Sequence, residues 1–373
     1  MKITTLVSIG VVVADLEKAV ENYARLLGIT QWAVHERGAG QLSEMVSHGR
    51  RSDGTYRSAF GAAPFDPEGP GPMGAQPRPT PFELVQPTGG ESPFNEFLLS
   101  RGEGICFLTV IAEDDEQAIE AHLRNEGIAV AHRHVVDGRT RTFHDTRRQL
   151  GGFLLEVLPA SSDAPTGLNA TGGEQRTVDG AALRGTADDE RPHGAIPMQG
   201  INHFGVIVDD TMEALDWYHR VLGIKKFDIK TWQTGFGRLD KPFYRDQDPV
   251  QHGYFTAQGF AGDFGFEIIQ CKYGDSHYNR EFTDQRGPGI HHMFPFLTTD
   301  EGQWEQVAED MTALGCPVVM GSDLRGGASA YCYYDTFEPL SGFLVEGVWR
   351  RFPAKDEYMA PDWTVDYSTL EQR

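Results

Sequence analysis

Apolar and polar positions along the chain repeat one pattern: an apolar strand, a turn that contains Asp, and an amphipathic helix that ends at Gly. Residues 6–28, LVSIGVVVADLEKAVENYARLLG, and 201–223, INHFGVIVDDTMEALDWYHRVLG, both follow it. Residues 104–127 and 289–315 give the same order twice more. The helix is predicted because apolar residues recur three and four positions apart before the glycine. A repeat of this kind indicates a structural module.

Each copy of the pattern is followed by further apolar strands. The first and third copies end in FELVQ (82–86) and FEIIQ (266–270), and the second and fourth end in GGFLLEVL (151–158) and SGFLVEGV (341–348). The sequence therefore predicts an α+β fold made of four modules, each with a strand, a helix and about three more strands. The length of 373 residues favours at least two domains.

Composition predicts where these domains end. Residues 61–81 are rich in Gly and Pro and should form a loop, either disordered or at the rim of a pocket, because the prolines rule out a central strand. Residues 161–197 are small, polar and Gly-rich, which predicts an interdomain linker. The expected division is a first domain at 1–160, this linker, a second domain at 198–350 and a tail at 351–373. The tail carries aromatic residues that could pack against the domains: Phe352, Tyr358, Trp363 and Tyr367.

Charge and hydropathy narrow the classes of partner. A formal net charge of -21 without a basic cluster argues against nucleic acid or an anionic membrane. The chain shows neither a cleavable signal pattern nor the roughly 18 uninterrupted apolar residues that span a bilayer, so a cytoplasmic location is expected. The sequence leaves open whether the protein forms a homo-oligomer.

The cysteines lack C-x-x-C spacing and are expected to be unpaired core thiols: Cys106, Cys271, Cys316 and Cys332.

Alignment of the modules indicates a metal site in the second half. His203 lies two positions before Gly205 in the third module, and His292 takes the same position in the fourth. Glu267 and Glu346 lie in the equivalent last strands of these modules. Two imidazoles and two carboxylates suit a borderline divalent ion, namely iron, cobalt, nickel, manganese or zinc, with positions left open for substrate or water.

The first half offers an internal comparison. Ser8 and Phe107 stand where the second half has its histidines, whereas Glu83 and Glu156 keep the carboxylates. An imidazole site is therefore not expected in the first domain, and a structural role for the carboxylates remains an alternative. His291, beside His292, is expected to face the other side of its strand.

These residues resemble the vicinal oxygen chelate superfamily, which holds glyoxalase I, methylmalonyl-CoA epimerase, fosfomycin-resistance proteins and type I extradiol dioxygenases. The resemblance covers both halves, and the tract from FEIIQ through GPGIHH is most similar to the epimerase branch. It implies two domains of paired modules with curled mixed sheets. It also implies one divalent metal ion in the second domain, with His203, Glu267, His292 and Glu346 as ligands.

The resemblance implies proton transfer next to a metal-bound carbonyl by an isomerase, epimerase or lyase, on a small substrate with a carbonyl or vicinal oxygens. Glu346 or Glu267 would be the catalytic base. The alternative is an Fe(II)-dependent ring-cleaving dioxygenase. Glu267 argues against this alternative, because as a fourth protein ligand it would crowd the site where oxygen binds. A binding protein without catalysis is the second alternative. The loop after Glu267 is expected to be solvated, and the alternative is that its side chains line the mouth of the pocket. These side chains are Lys272, Tyr273, His277, Tyr278 and Arg280.

Overall fold

The computed structural model describes residues 1–69, 71, 77–162, 173–179, 194–235, 238–245, 249–324, 326–351 and 360–369. The strands of the first half are β1 Ile3–Val12, β2 Gln31–Arg37, β3 Leu42–Ser47, β4 Arg50–Arg51, β5 Thr55–Ala63, β6 Thr80–Gly89, β7 Gly104–Ala112, β8 Val130–Val136, β9 Arg139–His144, β10 Leu154–Pro159 and β11 Glu174–Thr177. Its helices are α1 Leu16–Leu27, α2 Pro93–Arg101, α3 Glu116–Asn125 and α4 Arg147–Leu150.

The second half repeats this order of elements. Its strands are β12 His203–Ile207, β13 Lys226–Gln233, β14 Phe243–Tyr244, β15 Gly253–Ala261, β16 Phe264–Tyr273, β17 Gly289–Thr298, β18 Val318–Leu324, β19 Ser329–Tyr334, β20 Leu344–Arg350 and β21 Trp363–Asp366. Its helices are α5 Thr211–Leu222, a π-helix His277–Thr283, α6 Asp284–Arg286, α7 Glu301–Ala313 and a final 3₁₀ turn Tyr367–Thr369.

Each half forms one curled mixed sheet. The first runs in the order β11, β2, β5, β6, β1, β7, β10, β9, β8, β3, β4, and the second in the order β14, β18, β19, β20, β17, β12, β16, β15, β13, β21. The central pair is antiparallel in both sheets, β1 with β7 and β12 with β17. A parallel strand flanks it on each side, β6 and β10 in one sheet and β16 and β20 in the other. The predicted α+β fold of four modules is confirmed.

The turns between strand and helix form as the sequence predicts. Asp15 caps α1 by accepting hydrogen bonds from the backbone N–H groups of Glu17 and Lys18, and Gly28 ends this helix in the left-handed conformation with φ 73°. Asp210 and Gly223, with φ 75°, bound α5 in the same way. These caps fix where each helix begins and ends, so its apolar face lies against the sheet.

A shared apolar core joins the two halves. The Tyr23 hydroxyl on α1 donates to the carbonyl of Leu340 at 3.0 Å, and the Tyr218 hydroxyl on α5 donates to the carbonyl of Leu150 at 2.7 Å. Both side chains are fully buried, so each hydrogen bond satisfies a polar group inside the core. The same tyrosine in each half therefore contacts the opposite half.

The linker and the tail both contribute an edge strand, which composition did not predict. Within the expected linker, β11 pairs antiparallel with β2, and within the tail β21 pairs antiparallel with β13. Each polar segment is stabilised by backbone hydrogen bonds to a sheet that is already formed, so it needs no core of its own. Tyr367 is buried and stacks on His219 at 4.2 Å, while Trp363 stays partly exposed.

Parts of the expected loop, linker and tail lie outside the residues that the structure describes. Phe352, Tyr358 and most of 161–197 lie outside the described residues, as do 70 and 72–76 of the expected loop at 61–81. The domain boundaries remain a prediction. In the part of the chain that is described, no helix is long and apolar enough to cross a membrane. The four cysteines are free thiols, as predicted, and three of them are buried, whereas Cys271 is only partly buried.

Candidate metal centre

Four adjacent strands, β16, β12, β17 and β20, carry the residues that the repeats singled out. Gly205 on β12 lies opposite Glu267 on one side and His292 on the other, so these side chains share one row of the sheet. His203 lies two residues earlier on the same face of β12. With Glu346 of β20 they form one cluster, whose four donor atoms lie within 4.8 Å of one another.

Gly205 leaves the space that His292 occupies. A Cβ atom at position 205 would fall 1.8 Å from Cε1 and 2.2 Å from Nε2 of His292, far inside van der Waals contact. Any other residue would push the imidazole out of the cluster. The sequence comparison used this glycine only as a marker for alignment, so its role in shaping the site was missed.

Several buried polar atoms of the cluster have no hydrogen-bond partner. His203 Nε2 lies 3.3 Å from Glu346 Oε2, and His292 Nε2 lies 3.5 Å from the same atom, yet none of these three atoms makes a hydrogen bond. Glu267 Oε2 lies 3.7 Å from both imidazole nitrogens. Buried groups of this kind are costly unless they share a partner. A divalent cation bound by nitrogen and oxygen ligands fits the donor set.

Asn202 and Gln258 both contact Nδ1 of His203, at 2.8 Å from the Asn202 Oδ1 and at 3.2 Å from the Gln258 Nε2. Asn202 makes the shorter contact, and since its carbonyl oxygen can only accept, this hydrogen bond requires the proton of the imidazole to be at Nδ1. Gln258 donates to the same Oδ1 at 3.3 Å. The lone pair of His203 Nε2 is therefore directed towards the carboxylates, which is the arrangement of a metal ligand.

A chain of three imidazoles supports His292. Its Nδ1 lies 3.0 Å from Nδ1 of His291, and Nε2 of His291 lies 2.9 Å from Nδ1 of His277. Burial holds the pKa of His291 well below its ordinary value, so its ring is neutral and one nitrogen accepts. If His291 accepts from His292 and donates to His277, the Nε2 of His292 is free to bind a metal.

The loop after the Glu267 strand is only partly solvated, so the expectation for it was wrong in part. His277 is buried behind His291, and Tyr278 is buried and faces the cavity, because the segment folds as a π-helix against the sheet. Tyr273 and Arg280 are exposed, and the Lys272 ammonium lies over the Phe255 ring. The π-helix was not predicted, because the polar residues of this segment are typical of a loop.

A cavity of about 740 Å³ opens over the cluster. Glu267, Glu346 and His203 form part of its wall. Cationic and aromatic side chains make up much of the rest: Lys230, Arg238, Arg350, Trp232, Tyr254 and Tyr331. A wall of aromatic side chains with a few charged groups is typical of a site that binds a small molecule.

Charge in the cluster is distributed unevenly between its carboxylates. Burial opposes ionisation of Glu346, but the imidazoles of His203 and His292 outweigh it and lower its pKa to about 2. Burial raises the pKa of Glu267, because it outweighs the opposite effect of the His203 and His292 charges. Burial also lowers the pKa of Lys230, which Glu267 opposes.

An arginine takes the place of the cluster in the first half. Arg141 donates from Nη1 and Nη2 to Glu83 at 2.7 and 2.9 Å, and from Nε and Nη2 to Glu156 at 2.9 and 2.6 Å. Phe107 faces Gly10 as His292 faces Gly205, and its ring lies 5.8 Å from the guanidinium carbon. A guanidinium thus bridges the two carboxylates that the sequence comparison matched to Glu267 and Glu346. Alignment of the modules did not reveal this arginine.

Sequence and structure comparisons agree on the fold. Two models of the Glyoxalase/Bleomycin resistance protein/Dioxygenase superfamily match the chain, one at residues 200–346 and the other at 8–144. No curated protein sequence matches it. A triple mutant of 4-hydroxymandelate synthase from Streptomyces coelicolor is similar in structure, with a TM-score of 0.59, 12% identity and 100% of both chains covered. At that identity the likeness concerns the fold alone.

Two further solved structures have lower scores. The 2,3-dioxygenase LapB from Pseudomonas sp. KL28 has a TM-score of 0.44 at 14% identity, with 99% of each chain covered. A fusion protein of a xylose isomerase-like TIM barrel with 4-hydroxyphenylpyruvate dioxygenase has a TM-score of 0.46 at 11% identity, over 95% of this chain and 49% of the other. Neither likeness is close enough to support an argument about function.

Proposed function

Because the chain belongs to the glyoxalase/bleomycin resistance protein/dioxygenase superfamily, we propose that it is a metal-dependent enzyme that moves a proton next to a carbonyl, as an isomerase, epimerase or lyase. The observation that carries the proposal is the second carboxylate. Glu267 joins His203, His292 and Glu346 in a cluster whose donor atoms lie within 4.8 Å of one another. Oxygenases of the facial-triad type use two histidines and one carboxylate, so the second carboxylate of this cluster is left over for proton transfer.

His203, His292 and Glu346 would hold the metal, since their buried donor atoms lack other partners. A divalent cation bound there would act as a Lewis acid towards a substrate oxygen. Asn202 and His291 would keep the two imidazoles in the tautomer that leaves Nε2 available. The chain itself then supplies orientation and a proton acceptor.

Glu267 is the candidate base. Its Oε2 lies 3.7 Å from both imidazole nitrogens, farther than Glu346 Oε2 at 3.3 and 3.5 Å, and its side chain is the more exposed of the two carboxylates. Since it also faces the cavity, Glu267 can reach a substrate while Glu346 stays within the cluster. It would take a proton from the carbon next to the carbonyl and return it in the product.

The cavity walls favour a substrate with an anionic end. Lys230 lies in the wall, partly buried, and makes no ion pair with the residues that the structure describes. Arg350 lines the same cavity, and so does Arg238, whose guanidinium is ion-paired with Asp362 at 2.9 Å. The rings of Trp232 and Tyr254 in this wall are stacked, with centroids 6.1 Å apart. The substrate class is a small carbonyl compound, or one with vicinal oxygens, that carries a carboxylate or phosphate.

Two measurements on one preparation test the proposal. Protein purified without oxygen or chelator is analysed for metal and then incubated in deuterium oxide with a panel of 2-oxo acids, while exchange of the adjacent proton is followed by NMR. We expect manganese, cobalt, nickel or zinc, together with exchange. Glu267→Gln should retain metal and lose exchange, whereas Glu346→Gln should lose both. Exchange that survives in Glu267→Gln would exclude it as the base. Wild-type protein that holds no metal after reloading would instead indicate a binding protein.

A second candidate is an Fe(II)-dependent ring-cleaving dioxygenase. The observation that favours it is the shorter spacing of His203, His292 and Glu346, which leaves Glu267 as a looser fourth member. Two histidines and one carboxylate are the ligands that such oxygenases use. Iron as the metal, lost in His203→Ala and His292→Ala, together with oxygen uptake on catechols, would assign this reaction in place of proton transfer.

A further inference from the structure

Tyr254 of β15 and Tyr331 of β19 meet across the curled sheet of the second half. Four strands separate β15 from β19 in that sheet, yet the two hydroxyl oxygens lie 3.2 Å apart. Both side chains are buried, and both line the cavity over the candidate metal centre. The curl of the sheet therefore brings these two hydroxyl groups together in the wall of this cavity.

The pair carries two hydroxyl protons and uses one of them. Tyr254 donates to Tyr331, so the proton of Tyr331 has no acceptor among the residues that the structure describes. Burial raises the pKa of each phenol above its ordinary value, so both hydroxyl groups keep their protons. A buried hydroxyl proton in a cavity wall, without an acceptor in the protein, is available to a bound molecule.

Position 331 directs a long side chain towards the carboxylates of its half. Arg141 takes the equivalent position in the first half, and its guanidinium reaches both Glu83 and Glu156. Tyr331 lines the same cavity as the two carboxylates of the cluster. Its hydroxyl therefore lies in the wall of the space that a substrate at the cluster would occupy.

We propose that the Tyr331 hydroxyl donates a hydrogen bond to an oxygen of the substrate, and that Tyr254 positions this hydroxyl by donating to it. This role rests on the proposed function, because it places the substrate in the cavity over the candidate metal centre. The recognised group is an oxygen that can only accept, as in a carbonyl, an enolate or a carboxylate. Tyr254 is a positioning residue, because its own proton is used within the pair.

Ligand affinities of the cobalt-loaded full chain test this role without any turnover. Oxalate and imidazole are titrated while the visible absorption bands of cobalt are followed. Each oxalate oxygen can only accept, whereas imidazole offers no acceptor once its nitrogen is bound to the metal. We expect Tyr331→Phe to weaken oxalate about 10-fold to 100-fold and imidazole by less than about 2-fold. Tyr254→Phe should weaken oxalate by only about 2-fold to 5-fold.

Tyr56→Phe is the matched control. Tyr56 pairs with the residue four positions after Glu83, as Tyr254 pairs with the residue four positions after Glu267, so the two tyrosines are equivalent. The Tyr56 hydroxyl contacts Nε2 of His134 in the first half, at 3.1 Å, and its removal should leave both affinities unchanged. Equal losses for oxalate and imidazole in Tyr331→Phe would overturn the proposal, because a loosened site weakens every metal ligand. Unchanged oxalate affinity in this variant would overturn it as well.

A crystal structure of the wild-type protein with cobalt and oxalate decides alone if Tyr331→Phe does not fold. We expect the Tyr331 hydroxyl within hydrogen-bond distance of an oxalate oxygen, and a water between them would overturn its role. Failure of the proposed function gives a different result: deuterium exchange is then absent, while oxalate still depends on Tyr331. A chain that takes up no cobalt would overturn both.

Discussion

Arg141 donates two hydrogen bonds to Glu83, at 2.7 and 2.9 Å, at the position where the second half has Tyr331. The correspondence follows from register. Arg141 lies two residues before Phe143, which pairs with Glu156, and Tyr331 lies two residues before the residue that pairs with Glu346. Both halves therefore keep a pair of inward-facing carboxylates. The first half bridges them with its own guanidinium, and the second half presents imidazoles and space for a cation.

Removal of this guanidinium should destabilise the first half. Arg141→Met leaves Glu83 and Glu156 buried without a positive partner, and we expect the free energy of unfolding to fall by about 3 to 5 kcal/mol in denaturant titrations. Arg133→Met, an exposed arginine of the neighbouring strand, should change it by less than about 0.5 kcal/mol.

A triple variant distinguishes the loss of charge pairing from the loss of packing. If the loss comes from unpaired carboxylates, the triple variant Arg141→Met, Glu83→Gln, Glu156→Gln should recover much of the stability, because no charge is then left buried. A triple variant as unstable as Arg141→Met alone would assign the loss to packing against Phe107 and Phe143.

Equivalent glycines allow the candidate metal centre to be perturbed without removing a ligand. Gly205→Ala places a Cβ 1.8 Å from Cε1 of His292, and Gly10→Ala places one 2.2 Å from the Phe107 ring. Both substitutions should lower the unfolding temperature. We expect only Gly205→Ala to lower the metal content after reloading, by elemental analysis, because it alone displaces a ligand. Equal metal content in the two variants would contradict the role of His292.

The sequence predicted the four-residue cluster because each member occupies a position defined by the repeat. His203 and His292 are matched by register, and strand alternation then puts them on one face of the sheet. Arg141 could not be found in this way. It lies in an alternating strand, RTRTFH, where an arginine is usually a solvated side chain, and only the tertiary packing turns it inward. For the same reason β11 was missed, since an edge strand depends on its neighbour more than on its own composition.

The imidazole chain behind His292 should influence metal affinity, although neither His291 nor His277 belongs to the four-residue cluster. His291→Phe keeps a ring of similar size in the buried position but removes the hydrogen-bond partner of Nδ1 of His292. We expect metal affinity, measured by competition with a chelator, to fall about 10-fold to 100-fold. His277→Phe, one step farther away, should cost less. If His277→Phe costs as much as His291→Phe, a general loosening of the site is the better explanation.

Acid should destabilise the first half through His132. This side chain is 2% exposed, and burial, aided by the charge of Arg141, lowers its pKa from 6.5 to about 4. Between these two values the unfolded chain binds a proton at His132 and the folded chain does not. The free energy of unfolding therefore falls as pH decreases through this window, by about 3 kcal/mol at its lower end.

The second half suggests the substitution that tests this pH dependence. Met320 pairs with Tyr333 as His132 pairs with Phe143, so a methionine already fits this position of the module. His132→Met should be close to wild type in stability near neutral pH and should lose less stability towards pH 4 in urea titrations. His48→Met, at an exposed histidine, should keep the wild-type acid dependence. If His132→Met loses stability as steeply as the wild type, the acid sensitivity of this half must arise at other groups.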